Sequence, residues 1–246
     1  MEDNLNVGTV WSQDRLMRRL GVTVAILAFL AGLGSGHPSP ALAAEMAVVL
    51  PAPALDNPKA AATTQTAVIA AGCFWGVHGV YQHVRGVQRV LSGYAGGTKA
   101  TADYEAVSRG NTAHAESVEI RFDPKELSYG EILQIYFSVV HDPTQLNRQG
   151  PDTGPQYRSN IFYVDESQQR IARAYIAQLG QAKAFARAIV TRIDALNGFY
   201  AAEAYHQDFL IKNPTYPYIV INDLPKVAQL KKVFPTRYRE RPVTVD

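Results

Sequence analysis

Residues 66–71, Thr-Ala-Val-Ile-Ala-Ala, form a short apolar run that stops at Gly72. Phe74, Val77, Val80 or Tyr81, and Val84 then recur at helical spacing. The period thus changes from that of a buried strand to that of a helix almost at once. A strand that feeds a helix without an intervening loop favours a layered fold in which sheet and helices pack on each other. At the junction itself stands Cys73, in the run Gly72-Cys73-Phe74-Trp75-Gly76, and it is the only cysteine of the chain.

One thiol cannot close an internal disulfide or supply a metal site built from several cysteines. Free cysteine often packs as a small hydrophobe, so a structural role for Cys73 stands beside a nucleophilic one. Position bears on the choice. Backbone N–H groups at a helix N-terminus point outward and favour an anion, an arrangement expected to lower a thiol pKa.

The first 43 residues read as a secretory signal peptide. Arg15, Arg18 and Arg19 form a basic start, residues 20–33 an apolar run, and Ala41-Leu42-Ala43 a small-residue cleavage site. The run is shorter than the ~20 residues a membrane-spanning helix needs, although an uncleaved membrane anchor is the alternative. Export to the periplasm or another extracytoplasmic space follows, where a thiol without a partner in its own chain suits redox chemistry better than packing. Residues 44–65, rich in Ala, Pro and Thr, read as a flexible linker. A formal net charge of +2 leaves no electrostatic footprint for nucleic acid, and a monomer is expected.

Strands are expected over 87–94, 115–122, 160–164 and 189–193. Helices are expected over 128–140, opened by the capping box Ser128-x-x-Glu131, and over 167–181, 203–212 and 226–234. Alternating strands and helices with some hairpin-length gaps favour a two-layer α/β or α+β sandwich. In the strand 115–122, Glu116 shares a face with Val118, Ile120 and Phe122 by the period of two. A carboxyl at the start of an apolar face is partly desolvated, which raises its pKa and keeps a proton available near neutral pH. A frayed, solvated strand end is the competing reading. The polar loop 144–158 holds Asp152 and Tyr157, and Tyr104 lies in a separate segment; loops of this kind concentrate functional side chains. The histidines show no metal-binding spacing. His114 either orients a carboxyl or is exposed.

Together these segments resemble the A-type peptide-methionine sulfoxide reductases. The likeness runs from Gly72-Cys73-Phe74-Trp75-Gly76 through Gly93-Tyr94-Ala95-Gly96-Gly97, Tyr104-Glu105-x-Val107-x-x-Gly110 and His114-Ala115-Glu116. It continues through His141-Asp142-Pro143-Thr144, Asn147-Arg148-Gln149-Gly150, Asp152-x-Gly154, Gln156-Tyr157-Arg158-Ser159 and Tyr205-His206-Gln207. It covers residues 66–235, which then form the catalytic domain, with 236–246 as a C-terminal tail.

The resemblance implies an α+β fold, a two-layer α/β plait with a ferredoxin-like core and extensions. It implies reduction of methionine-S-sulfoxide, free or in oxidised proteins, to methionine. Cys73 is then the nucleophile and Glu116 the proton donor. Tyr104 and Tyr157 bind the sulfoxide oxygen, Asp152 supports the site, and Phe74 and Trp75 form the pocket for the substrate methyl group. No bound cofactor is implied, and His206 has no assigned role. Many relatives carry recycling cysteines near the C-terminus; residues 214–246 hold none. The sulfenic acid left on Cys73 therefore needs an external thiol: thioredoxin, glutaredoxin or a small thiol. A thiol peroxidase and a non-catalytic binder of oxidised methionine are the competing functions.

Overall fold

Strand β1 (Gln65–Ala71) carries the junction described above, and helix α1 (Phe74–Gln82) follows it directly. In this computed structural model residues 46–57 and 64–245 are described. The expected signal segment, 1–43, lies outside them. Among the described residues no helix is long and apolar enough to cross a membrane.

Six strands make one sheet: β1, β2 (Val87–Ala95), β3 (Ala115–Phe122), β6 (Ser159–Tyr163), β7 (Arg192–Ala195) and β8 (Phe199–Ala201), in the order β7-β6-β1-β3-β2-β8. All neighbours are antiparallel except β6 and β7. A separate hairpin joins β4 (Arg148–Gln149) to β5 (Asp152–Thr153). The helices are α1, α2 (Tyr104–Ser108), α3 (Tyr129–Ile135), α4 (Glu166–Gln181), α5 (Phe209–Lys212) and α6 (Leu224–Val233). The fold is mixed α+β, with a curled sheet.

β1 and β3 are the two central strands, and this explains their composition. Ala67, Ile69 and Ala71 of β1 and Val118, Ile120 and Phe122 of β3 face one large core shared with α1, α3, α4 and α6. Val68, Ala70, Ala95, Ala115 and Phe162 form a smaller cluster on the opposite face. With both faces covered, β1 reads as a continuous apolar run. Gly72 lets the chain turn from β1 into α1. It sits at φ +86°, and a Cβ there would strike the Gln149 side chain.

Several elements depart from expectation. α3 opens with the capping box of Ser128 and Glu131 but loosens into a π turn over Tyr136–Val140. The edge strand β7 lies a few residues later than the apolar residues 189–193 suggest: its parallel pairing with β6 runs from Arg192 to Ala195. The segment 203–212 is not one helix. It breaks at Asp208, whose φ is +57°, into a 3-10 turn and α5.

Residues 46–57, which their composition assigns to a flexible linker, form a strap across α3 and α4. Val48 N–H donates to Ser138 O at 2.8 Å, Gln134 Nε2 to Leu50 O at 2.8 Å and Tyr175 Oη to Pro51 O at 2.9 Å. Leu50 is 5% exposed. Asp56 accepts from the Gly130 N–H and the Ser128 hydroxyl, which reinforces the cap of α3. Ala and Pro carry little periodic signal, so main-chain hydrogen bonds of this kind leave no trace in the composition.

The C-terminal tail also docks. Arg239 N–H donates to His83 O, and Val243 N–H donates to Gln82 O at the end of α1.

Candidate active site

Cys73 is the N-cap of α1, and its thiol is partly buried. Glu116 is the second residue of β3, in register with Tyr94 of β2. Since β3 lies beside β1, the Glu116 side chain reaches under the first turn of α1, where Oε2 accepts the Phe74 N–H at 3.0 Å. Glu116 is 3% exposed, so the strand end is buried rather than frayed. Burial pushes its pKa up to about 8; the Phe74 N–H pulls it down and nearby Asp152 adds to the rise. The carboxyl therefore holds a proton at neutral pH.

The expected fall in the thiol pKa is reversed. Burial pushes Cys73 well above the usual thiol range, and Glu116, Asp223 and Asp152 push it further. The Trp75 N–H at the helix N-terminus lowers it but is outweighed. A helix end favours an anion, yet the desolvated sulfur opposes it more strongly, helped by Asp223 and Asp152 and, once it ionises, by Glu116. Cys73 rests as a thiol.

The polar loop is pinned to the front of β3 by Arg158. Its guanidinium donates to the carbonyls of Ala113, His114 and Pro155 at 2.8–3.0 Å. The hairpin of β4 and β5 and the turn Pro155–Tyr157 are thereby held beside Glu116. Tyr157 comes within electrostatic reach of Glu116, Asp152, Cys73 and Tyr104. Tyr104, the first residue of α2, reaches Glu116 and Cys73 in the same way. Burial raises both phenols above their ordinary range, so both keep their protons and remain donors. Asp152 accepts from the hydroxyl of Tyr218, and its own pKa is raised by burial.

Phe74 and Trp75 take different places. Phe74 is buried, with its ring centroid 4.9 Å from His206 and 5.9 Å from Tyr94. It is a floor to the site. Trp75 is only partly buried. It stacks on Phe209 at 3.8 Å and meets Tyr216 and Tyr218 edge-on. Its Nε1 donates to His206 Nδ1 at 3.1 Å, which leaves the other ring nitrogen to carry the proton of a neutral imidazole. The His206 ring also lies 4.6 Å from Tyr104. His206, 1% exposed, is therefore the piece that joins Trp75, Phe74 and Tyr104. Glu203 performs a similar service: Oε1 accepts the Tyr104 N–H and Oε2 the Tyr94 hydroxyl, each at 2.9 Å.

His114 does not orient Glu116; it is buried and bonded to Thr98 O at 2.9 Å. Residues that sequence reasoning passed over come from the stretch before α6. Tyr216 and Tyr218 lie between prolines, and Asp223 precedes a Leu-Pro pair that resembles a helix start. Such patterns read as turn and cap, so only the fold reveals that Tyr218 and Asp223 come within electrostatic reach of Cys73 and that Tyr216 meets Trp75. Among the described residues no group of three or more His, Cys, Asp or Glu is placed to hold a metal ion.

A cysteine at a helix end, a proton-bearing carboxyl, two phenol donors and an apolar floor suit the acceptance of an oxygen atom from a small apolar group. Comparison with known proteins points the same way. The family described as "Peptide methionine sulfoxide reductase" matches residues 65–238. A "Peptide methionine sulfoxide reductase MsrA 2" of Mesorhizobium japonicum is 60% identical over 187 residues, 76% of this chain and 96% of its own length. The MsrA of Deinococcus radiodurans is 46% identical over 178 residues, 72% of this chain and 86% of its own. Among solved structures, reduced Mxr1 from Saccharomyces cerevisiae aligns with a TM-score of 0.56 at 30% identity. That alignment covers 65% of this chain and 91% of the yeast chain. Methionine sulfoxide reductase A of Corynebacterium diphtheriae gives 0.54 at 32% identity, over 70% of this chain and 86% of its own.

Proposed function

We infer from this site, in a chain that belongs to the peptide methionine sulfoxide reductase family, that a single cysteine carries the whole reductive step. The protein is an oxidoreductase that reduces methionine sulfoxide to methionine with thiols as reductant, and so repairs oxidised proteins. The S epimer is the substrate that the resemblance implies.

The roles of the residues are our reading. The observation that carries it is the pairing of Cys73 with a carboxyl, Glu116, whose pKa is raised to about 8. Cys73 Sγ attacks the sulfoxide sulfur. Glu116 gives its proton to the sulfoxide oxygen, which makes the oxygen a better leaving group as the S–O bond breaks. Tyr104 and Tyr157 donate hydrogen bonds to that oxygen while negative charge grows on it. Phe74 and Trp75 receive the methyl group, and the aromatic surface favours a thioether product over a small peroxide. Asp152, held by Tyr218, supports the loop that carries Tyr157. The departing oxygen takes up the thiol proton as well and leaves as water, so that Sγ is bonded to a sulfonium. Water then attacks Sγ, methionine leaves, a proton returns to Glu116, and Cys73 is left a sulfenic acid.

A thiol from another molecule then attacks Cys73 Sγ. Its proton and the departing hydroxyl leave as water, a mixed disulfide forms, and a second thiol frees Cys73. The chain has no other cysteine, so both thiols come from outside it: two small thiols, or the cysteine pair of a thioredoxin- or glutaredoxin-like protein. Export belongs to the same reading, supported by the basic start, apolar run and cleavage motif of residues 1–43. The wiring β1-α1-β2-β3-α3-β6, with β6-β1-β3-β2 in the sheet, supports a ferredoxin-like plait as its core. The deciding experiment is a reductase assay of the wild type and Cys73→Ser with each sulfoxide epimer and a panel of thiols. Full activity in the serine variant refutes this mechanism.

A further inference from the structure

Three acids crowd the first turn of α1: Cys73, Glu116 and Asp223. The first two have roles in the reaction. Asp223 ends the π turn Ile219–Asp223 and stands at the N-cap of α6, where an aspartate ordinarily accepts an N–H of the new helix. It makes no such bond. The π turn brings helical backbone into α6 without a break, and Asp223 itself has φ −110° and ψ −42°, so its side chain is released from capping. The carboxylate turns instead onto α1, where a Cβ on Gly76 would overlap it; only a glycine at that position of α1 admits it.

Asp223 is 0% exposed. Among the described residues, neither of its oxygens has a hydrogen-bond partner beyond the ion pair with Lys226 of α6, whose Nζ lies 3.5 Å from Oδ1. An aspartate released from its cap and buried with one counter-ion costs stability.

We propose that Asp223 is a positioning residue for the proton of Cys73: its carboxylate, seated on the first turn of α1 and held by Lys226, adds to burial in holding the resting sulfur as a thiol and so helps reserve it for sulfoxide. A free thiolate would attack hydrogen peroxide, taking one oxygen to form the sulfenic acid and releasing hydroxide, which takes up a proton to become water. That spends the only cysteine without repairing any methionine. The thiol form reacts far more slowly. Bound sulfoxide, by contrast, meets Glu116 with its proton in place, so the guard acts on the resting enzyme.

The charged and titratable groups around the pair come from every neighbouring element. They are Lys226 on α6, Asp152 on β5 with Tyr218 bonded to it, Glu116 on β3 and Cys73 itself; His141 is within electrostatic reach of Lys226. Asp223 titrates near 6, raised by burial and lowered by Lys226, well apart from Glu116 near 8. The effects of the two are therefore separable by pH.

The proposal rests on Cys73 being the nucleophile, but its test does not use sulfoxide. Alkylation of full-length protein by iodoacetamide, followed by intact mass, reports the thiolate alone. In the wild type, log rate against pH climbs with a slope below one between about pH 5 and 7, because each ionised Asp223 makes the thiol harder to ionise. Asp223→Asn removes a negative charge and leaves Lys226 positive, both of which favour thiolate. We expect a slope of one in that window and alkylation about 3- to 10-fold faster at pH 7.5, after allowing for the weaker nucleophilicity of a less basic thiolate. Equal rates in the two proteins, or an unbroken slope of one in the wild type, overturn the proposal. If the variant does not fold, an unbroken slope of one in the wild type still overturns the proposal; a slope below one supports it by persisting in Asp152→Asn, since Asp152 also acts on Cys73, and overturns it by vanishing there. Loss of sulfoxide reduction in Cys73→Ser is a separate result and bears only on the nucleophile.

Discussion

Glu116→Gln separates the proton from the shape of the group that carries it. Glutamine fills the same space, and its oxygen can still accept the Phe74 N–H that Glu116 Oε2 takes at 3.0 Å. It has no carboxylic proton to give. General acid catalysis contributes about 10²- to 10⁴-fold, so single-turnover methionine release should slow by that factor, equivalent to about 3–5 kcal/mol of barrier. The pH dependence gives a sharper number. With a pKa of about 8, about nine-tenths of Glu116 is protonated at pH 7 and about one-tenth at pH 9. Cys73 ionises more as pH rises, which works in the opposite sense, but it does so in both proteins. The ratio of wild-type to variant rate therefore isolates the proton on Glu116, and it should fall about tenfold from pH 7 to pH 9. Ionised Glu116 also raises the Cys73 pKa in the wild type, which makes the fall steeper. The assay is rapid-quench release of methionine with enzyme in excess and no thiol. A ratio constant with pH, or a variant that differs only in substrate affinity, refutes the general-acid role.

Tyr157→Phe and Tyr104→Phe each remove one donor from the developing oxygen charge. We expect each to lower the single-turnover rate by about 10²-fold with little change in substrate affinity, and unchanged rates for both variants would remove the phenols from the reaction. Asp56→Ala strips the α3 cap of the two hydrogen bonds from Gly130 and Ser128. The expected loss is about 1–2 kcal/mol of folding stability, read by urea denaturation; an unchanged midpoint would mean that the strap of residues 46–57 does not hold the domain.

The chemistry of the site was legible wherever a local pattern forced it. The break in period at Gly72 placed Cys73 at a helix start, and the period of two in 115–122 placed Glu116 on the apolar face. Both placements hold, because central strands have few ways to bury a face. The ionisation of Cys73 was not legible. The helix end is a local feature, whereas the burial of the sulfur, with Glu116, Asp223 and Asp152 brought to it from segments remote in sequence, is a product of the fold and reverses the sign. The strap of residues 46–57 escaped notice because it is held by main-chain carbonyls and by side chains of α3 and α4, not by its own periodicity. Asp223 was hidden by resembling a cap. An aspartate before Leu-Pro reads as a helix start, and only the π turn ahead of it shows that the carboxylate is free to face α1.

The central claim is that Cys73 alone takes the oxygen and another molecule must remove it. The direct measurement is to mix the full-length protein with excess methionine-S-sulfoxide and no thiol, count the methionine released, and take the intact mass of the protein. We expect one methionine per chain, one added oxygen located on Cys73, and continued turnover only when a thiol is supplied. Sustained turnover without thiol, or methionine released while Cys73 stays unmodified, would contradict it.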